Sequence, residues 1–234
     1  MEQKSMSKKL KNWLVSIGLT LLVLLSLAMI FNRQIKTWMV AQYNPEVNEK
    51  VVAKNTEKKA NFDYTKVKSL DWQTVLKART SEKRIKVIGE IVYPDINIHL
   101  PIGKGVDNLT LALAAGTLKE NQRMGEGNYA LAGHHMVDKN VLFSPLYWKA
   151  KIGQKVYLTD ETNIYEYRVD TRKFIKATDV QVVDDIKGKK ILTLVTCDDT
   201  GAGRLMIRAK FIKKMSHTKA PEAVQKEFSE KFNR

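Results

Sequence analysis

The sequence predicts an all-β domain set behind one membrane-crossing helix, and three observations carry that reading. With a period of two, 128–136 sorts into a face of small residues and a face bearing Tyr129 and Leu131, and 204–212 sorts into an inward apolar face and an outward, mostly basic one. Between them lies a β-branched run, Leu192-Thr193-Leu194-Val195-Thr196-Cys197. Residues 13–31 are almost wholly apolar, with no charge between Lys11 and Arg33. The 234 residues allow one modest domain plus appendages, since a domain usually takes about 100–200.

At about 1.5 Å per residue, a helix of roughly 20 residues crosses a hydrocarbon core about 30 Å thick. Lys4, Lys8, Lys9 and Lys11 precede the span, so residues 1–12 are expected as a cytoplasmic basic tail and the domain lies outside the cell. Arg33 and Lys36 pull weakly the other way. Ser26-Leu27-Ala28 has the small-x-small form of a cleavage site, but Met29-Ile30-Phe31 carries the apolar run past it, so the reading is an uncleaved anchor. Residues 32–84 read as a spacer. Within it 50–59 is charged and lacks a hydrophobic face, whereas Val67, Leu70, Trp72, Val75 and Leu76 recur at near-helical spacing and predict one amphipathic helix. The β domain is expected over 85–215, and 216–234 as a frayed helix or disordered tail without a second span.

Cys197 is the only cysteine, so no intramolecular disulfide is available to it. Asp198 and Asp199 follow at once and by themselves disfavour a thiolate, so a reactive Cys197 needs an imidazole or a cation from elsewhere. The bland alternative is a small buried hydrophobe at a strand end. Four histidines are available: His99, His134, His135 and His217. After the turn Gly125-Glu126-Gly127, alternation puts Ala130, Ala132 and His134 on one face and Tyr129, Leu131 and Gly133 on the other. The His134 face is shallow, as a groove floor for a peptide must be, and His135 points away from it. The same rule puts Thr193, Val195 and Cys197 on one face, with Leu192 and Leu194 in the core. Beyond a turn at Gly201-Ala202-Gly203, Leu205, Ile207, Ala209 and Phe211 face inward, while Arg204, Met206, Arg208 and Lys210 face outward. Arg204 lies nearest the strand end bearing Cys197, and its guanidinium suits a developing oxyanion or a peptide carbonyl. Alone, it would read as a solvated strand-edge cation.

The net charge of +15 would raise nucleic acid as a partner for an intracellular chain. No nucleic-acid motif accompanies it and the lysines are dispersed, so no nucleic acid is expected. Outside the cell the charge favours anionic lipid and wall polymers. Neither a glycine-rich phosphate loop nor His/Cys metal spacing is present.

The Thr-Leu-Val-Thr-Cys strand, the Gly-Glu-Gly-Asn-Tyr-Ala-Leu-Ala-Gly-His-His run and the arginine opening the next strand together resemble the sortases, most nearly class A, over about residues 85–215. The resemblance implies a closed eight-stranded β-barrel with short helices in its connections. It makes Cys197 the nucleophile, His134 the acid/base and Arg204 the stabiliser of substrate or oxyanion. Ala132, Thr193, Val195 and Thr196 would line the groove, and the loop 176–190, with Val180, Val182 and Val183, would be a mobile wall over it. Class C relatives carry a C-terminal span and an Asp-Pro-aromatic lid. Asn44-Pro45 and Tyr93-Pro94-Asp95 do not supply that lid.

The activity implied is cleavage of a Leu-Pro-x-Thr-Gly signal between Thr and Gly, a thioester on Cys197, and transfer of the surface protein to a cell-wall precursor amine of lipid II type. No cofactor is expected. Some class A members bind calcium, but 118–126 carries Lys119 and Arg123 where acids are wanted, leaving only Glu120, Glu126, Asp184 and Asp185. Calcium takes about six to eight oxygens. An exported cysteine peptidase using water, and a non-catalytic tethered binding module, are the alternatives.

Overall fold

The computed structural model describes residues 8–67, 70–81, 85–136, 138–197 and 202–232. Eight strands, β1 Val87–Tyr93, β2 Ile98–Gly103, β3 Ala115–Thr117, β4 Asn128–Ala132, β5 Lys155–Thr159, β6 Asn163–Lys176, β7 Ile191–Cys197 and β8 Gly203–Ser216, close into a barrel. Around it they run β1-β2-β3-β4-β7-β8-β6-β5. Closure leaves no unpaired edge. The β2/β3 and β4/β7 pairs are parallel and the others antiparallel.

Alternation sorts the barrel as the sequence requires. Tyr129 and Leu131 of β4, Leu192 and Leu194 of β7, and Leu205, Ile207 and Ala209 of β8 join Ile91, Leu100, Ile102 and Tyr167 in one core. Met206, expected on the solvent side, is buried, because the face it shares with its partner Val195 is partly covered.

The N-terminal region is more structured than its composition suggested. Helix α1 (Lys8–Ile30) buries none of its residues. Three helices follow, where the sequence predicted one: α2 (Asn32–Ala41), α3 (Glu49–Thr56) and α4 (Trp72–Thr80). Helix α3 falls in the stretch read as lacking a hydrophobic face. Its polar residues do structural work: Asn48 caps it by accepting from the Val51 N–H at 3.0 Å, and buried Asn55 donates to the Val87 carbonyl at 2.9 Å. Helix α4 is capped by Asp71 and buries Val75 and Ala78, leaving Trp72 and Leu76 exposed. Val40 at the end of α2 and Tyr43 just after it are buried in the barrel's own core cluster. Helices α5 (Asn108–Leu113) and α6 (Ser144–Lys149) lie in barrel connections.

The C-terminal tail is ordered, contrary to expectation. Helix α7 (Glu222–Ser229) contributes Val224 and Phe228 to a second apolar cluster with Tyr157, Ile164, Met215 and Ala220. Phe232 lies 4.4 Å from the His99 ring, centroid to centroid, and His99 Nε2 lies 2.8 Å from Glu90 Oε2 in a buried pair. The tail thus covers a polar pair that the barrel alone leaves at its surface. Phe232→Ala should lower stability by on the order of 2 kcal/mol, read as a reduced thermal midpoint of the detergent-solubilised chain. An unchanged midpoint would mean that the tail does not pack there.

Candidate active site

Strands β4 and β7 lie side by side in parallel, and their last paired residues are Ala132 and Val195. The contact continues past the ladder: the Gly133 N–H donates to the Val195 carbonyl at 3.1 Å, and the Thr196 hydroxyl donates to the Gly133 carbonyl at 2.8 Å. Carried two residues further, the same register sets His134 beside Cys197. Glycine is needed at 133, because a Cβ there would stand 2.5 Å from the ring of Phe143. Phe143 is fully buried at the entry to α6, and its N–H donates to the His134 carbonyl at 3.1 Å. The backbone of the histidine is therefore gripped by β7 on one side and by Phe143 on the other.

The His134 side chain is 9% exposed. Burial, with a smaller contribution from the Lys36 ammonium of α2, lowers its pKa from 6.5 to about 4. At neutral pH it is an uncharged imidazole, able to take a proton.

Cys197 closes β7 as a half-buried free thiol, and its direct cross-strand partner is Arg204 of β8. Opposed residues of an antiparallel pair send their side chains to the same face. Arg204 is half-buried and donates to the Gly203 carbonyl at 2.8 Å. Asp198, Asp199 and Gly201 lie outside the described residues. His135 packs edge-on to Tyr147 at 5.2 Å, and His99 and His217 contact the C-terminal aromatics, so His134 is the imidazole aligned with the thiol.

Of the expected groove residues, Ala132 and Val195 are half-buried on the Cys197 face. Thr193 and Thr196 are buried and do not open onto a groove. Thr193 donates its hydroxyl to Asn128 Oδ1 at 2.7 Å. Thr196 alternates away from the Cys197 face and is engaged with Gly133.

Val180–Val183 is a short 3-10 turn with Val183 half-buried. The resemblance implied a mobile wall here; in the structure hydrogen bonds from β4 reach this turn and the residues after it. Asn128 Nδ2 donates to the carbonyls of Val182 and Asp184, each at 3.0 Å, and the Asn128 N–H donates to Asp185 Oδ1 at 2.7 Å. Lys119 meets the same Asp185 oxygen at 2.5 Å. The Lys119 ammonium and the Asn128 N–H together hold the Asp185 carboxyl below its usual range. Gly127, at φ +47°, permits the approach: a Cβ there would lie 2.7 Å from Asp185 Oδ1. Among the described residues no group of three or more His, Cys, Asp or Glu side chains is arranged to hold a metal. Sequence reasoning missed Asn128 as the hub of this network. Its one visible signal was an amide at the first position of a strand.

A thiol, a neutral imidazole and a guanidinium at one end of a closed barrel define a cysteine enzyme of the acyl-transfer type. Residues 91–212 match the Sortase domain family. The chain is 40% identical over 232 residues to Sortase A of Streptococcus agalactiae serotype III (strain NEM316), covering 94% of this chain and 92% of that one. It is 37% identical over 183 residues to Sortase A of Listeria monocytogenes serovar 1/2a (strain ATCC BAA-679 / EGD-e), covering 76% and 82%. The crystal structure of Listeria monocytogenes sortase A superposes with a TM-score of 0.57 at 38% identity, over 62% of this chain and 99% of that one. The chain belongs to the sortase family of cysteine transpeptidases, and within it to class A.

The depressed histidine has a consequence for stability. Between pH 6.5 and about 4 the unfolded chain takes up a proton that folded His134 refuses. The contribution of this group is therefore intact above pH 6.5 and is lost as the pH falls toward 4, by on the order of 3 kcal/mol in all. Denaturant unfolding at a series of pH values should show wild type losing more stability than His134→Gln across that window. Parallel curves would show that His134 is not buried as a neutral ring.

Proposed function

We propose that the protein is a membrane-anchored transpeptidase that cuts a Leu-Pro-x-Thr-Gly sorting signal between Thr and Gly and joins the new carboxyl end to a cell-wall precursor amine of lipid II type. The observation that supports this best is the register linking His134, Cys197 and Arg204 across three adjacent strands. Similarity to sortase A proteins over most of the chain supports the substrate class.

The Cys197 thiol passes its proton to neutral His134 as the sulfur attacks the threonine carbonyl carbon. Arg204 donates to the oxygen as it gains charge. The carbon–nitrogen bond then breaks, the imidazolium returns the proton to the departing glycine amine, and a thioester remains on Cys197. In the second half the acceptor amine attacks that thioester, its proton goes to His134, and the thiolate leaves and is reprotonated. Microscopic reversibility gives one imidazole both duties. Ala132 and Val195 floor the groove and Val183 flanks it.

Helix α1, 23 residues long and free of charge from Asn12 to Ile30, serves as the anchor, and Lys4, Lys8, Lys9 and Lys11 at or before its start put the N-terminus in the cytoplasm and the barrel outside. Calcium has no part in the reading, since the Lys119 ammonium already bridges to Asp185 between the two loops where a divalent cation would serve.

Mass spectrometry of the chain mixed with a Leu-Pro-x-Thr-Gly peptide should show an acyl adduct on Cys197. Adding a glycine amine should divert hydrolysis product into peptide-bond product, whereas a simple peptidase would give hydrolysis alone. Cys197→Ala and His134→Ala should each abolish transfer, His135→Ala should retain most of it, and Arg204→Lys should lose on the order of 10²-fold in turnover. A mild Arg204→Lys would refute the oxyanion role. Turnover in chelator and in millimolar calcium should agree; several-fold stimulation that vanishes on mutating Glu120 or Glu126 would overturn the calcium-free reading.

A further inference from the structure

Arg208 lies four residues beyond Arg204 on the same face of β8, opposite Thr193 of β7. One of its terminal nitrogens donates to the Val182 carbonyl at 3.1 Å, and its Nε is buried with no hydrogen-bond partner among the described residues. The Val182 carbonyl also receives Asn128 Nδ2 at 3.0 Å, and the other end of that amide is oriented by the Thr193 hydroxyl at 2.7 Å. Two side chains, Asn128 of β4 and Arg208 of β8, thus donate to a single carbonyl in the 180–183 turn, and Thr193 of β7, between them, orients the amide of Asn128. A buried guanidinium nitrogen left without a partner costs free energy. That cost is tolerated here while the same side chain secures a loop that is otherwise largely exposed.

The place of this clamp along the groove bears on what it does. Arg208 stands four residue steps along the strand from Arg204, about 13 Å at ~3.3 Å per residue. In the proposed substrate the leucine stands three residue steps from the scissile threonine, about 10 Å in an extended chain. A peptide with its threonine at Cys197 and running along β7 toward Thr193 would bring its leucine near the level of Arg208, the residue that holds the turn bearing Val180, Val182 and Val183.

We propose that Arg208 and Asn128 are positioning residues: by holding the Val182 carbonyl they fix the apolar wall of the groove, and so govern binding of the leucine end of the sorting peptide rather than the acyl-transfer step. This rests on the substrate assignment above. Asn128 also braces β4 and β7, so Arg208 is the residue to change. Arg208→Met keeps an unbranched apolar stem and removes the donors; Arg208→Lys restores a cationic donor.

The experiment uses the full chain in detergent, with two readouts. In transpeptidation with a Leu-Pro-x-Thr-Gly peptide and a glycine amine, Arg208→Met should raise KM about ten-fold while kcat changes less than about two-fold, as for loss of one charged hydrogen bond. Arg208→Lys should recover much of that loss. Replacing the peptide leucine by alanine should penalise wild type more than Arg208→Met. Amide hydrogen exchange over 180–185, measured without substrate, should be about ten-fold faster in Arg208→Met. Unchanged exchange there would overturn the clamp whatever the activity. With wild type active, an unchanged KM, or a fall in kcat alone, would overturn its role in binding. An inactive wild type with faster exchange in the variant would instead overturn the substrate assignment, and with it the binding role, and leave the clamp standing.

Discussion

The structure depends most on the parallel pairing of β4 with β7. Parallel neighbours cannot be joined by a tight turn; they need a long crossover, and here that crossover holds β5, β6 and α6. The pairing brings together two segments about sixty residues apart and fixes their register at Ala132 and Val195. A slip of one residue would turn Leu192 and Leu194 out of the core, so apolar burial guards the alignment of His134 with Cys197. The β7/β8 pairing then sets Arg204 against Cys197 by the same logic. The geometry of the candidate site is thus a by-product of core packing, with Cys197 and Arg204 at the ends of well-buried strands and His134 just beyond one.

That arrangement explains why the site was legible in the sequence. Period-two alternation in 128–136, 192–197 and 204–212 separated the core residues from the reactive face without knowledge of the fold. It also favoured His134 over His135, whose ring packs against Tyr147 in the structure. What escaped was whatever depended on distant partners. Asn55 reads as an ordinary polar residue in a charged stretch, yet it anchors α3 to the Val87 carbonyl. Lys119 and Asp185 lie 66 residues apart, so nothing local marks them as partners. Thr196 was placed in the groove by analogy, although alternation alone would have turned it away from Cys197. The C-terminal tail looked too polar to pack, because its few apolar residues are scattered: Val224 and Phe228 meet Tyr157, Ile164 and Met215 from distant strands, and Phe232 covers a histidine–glutamate pair.

The two loops beside the groove show one electrostatic answer to a common demand. Two segments must be held at a fixed separation, and a carboxylate reaching between them needs a positive partner. Lys119 provides it from within the chain, and the Asn128 N–H completes the coordination of the same Asp185 oxygen. A side-chain cation cannot be washed out, and its single charge asks for fewer carboxylates than a divalent ion would. The surrounding lysines and arginines are compatible with such a bridge.

Helix α2 begins at Asn32, two residues after α1 ends at Ile30, and the chain is bound into the barrel core by Val40 and Tyr43. With α1 in a bilayer, ten residues separate the membrane from the first core contact, about 15 Å at helical rise. On the anchored reading proposed above, a leash of that length would confine the enzyme to a thin layer above the lipid. Its working concentration would then be set by an area rather than a volume, and encounters with partners held at the same depth would be favoured over those with molecules in bulk. A substrate retained at the membrane would meet it in two dimensions; one already released would largely escape.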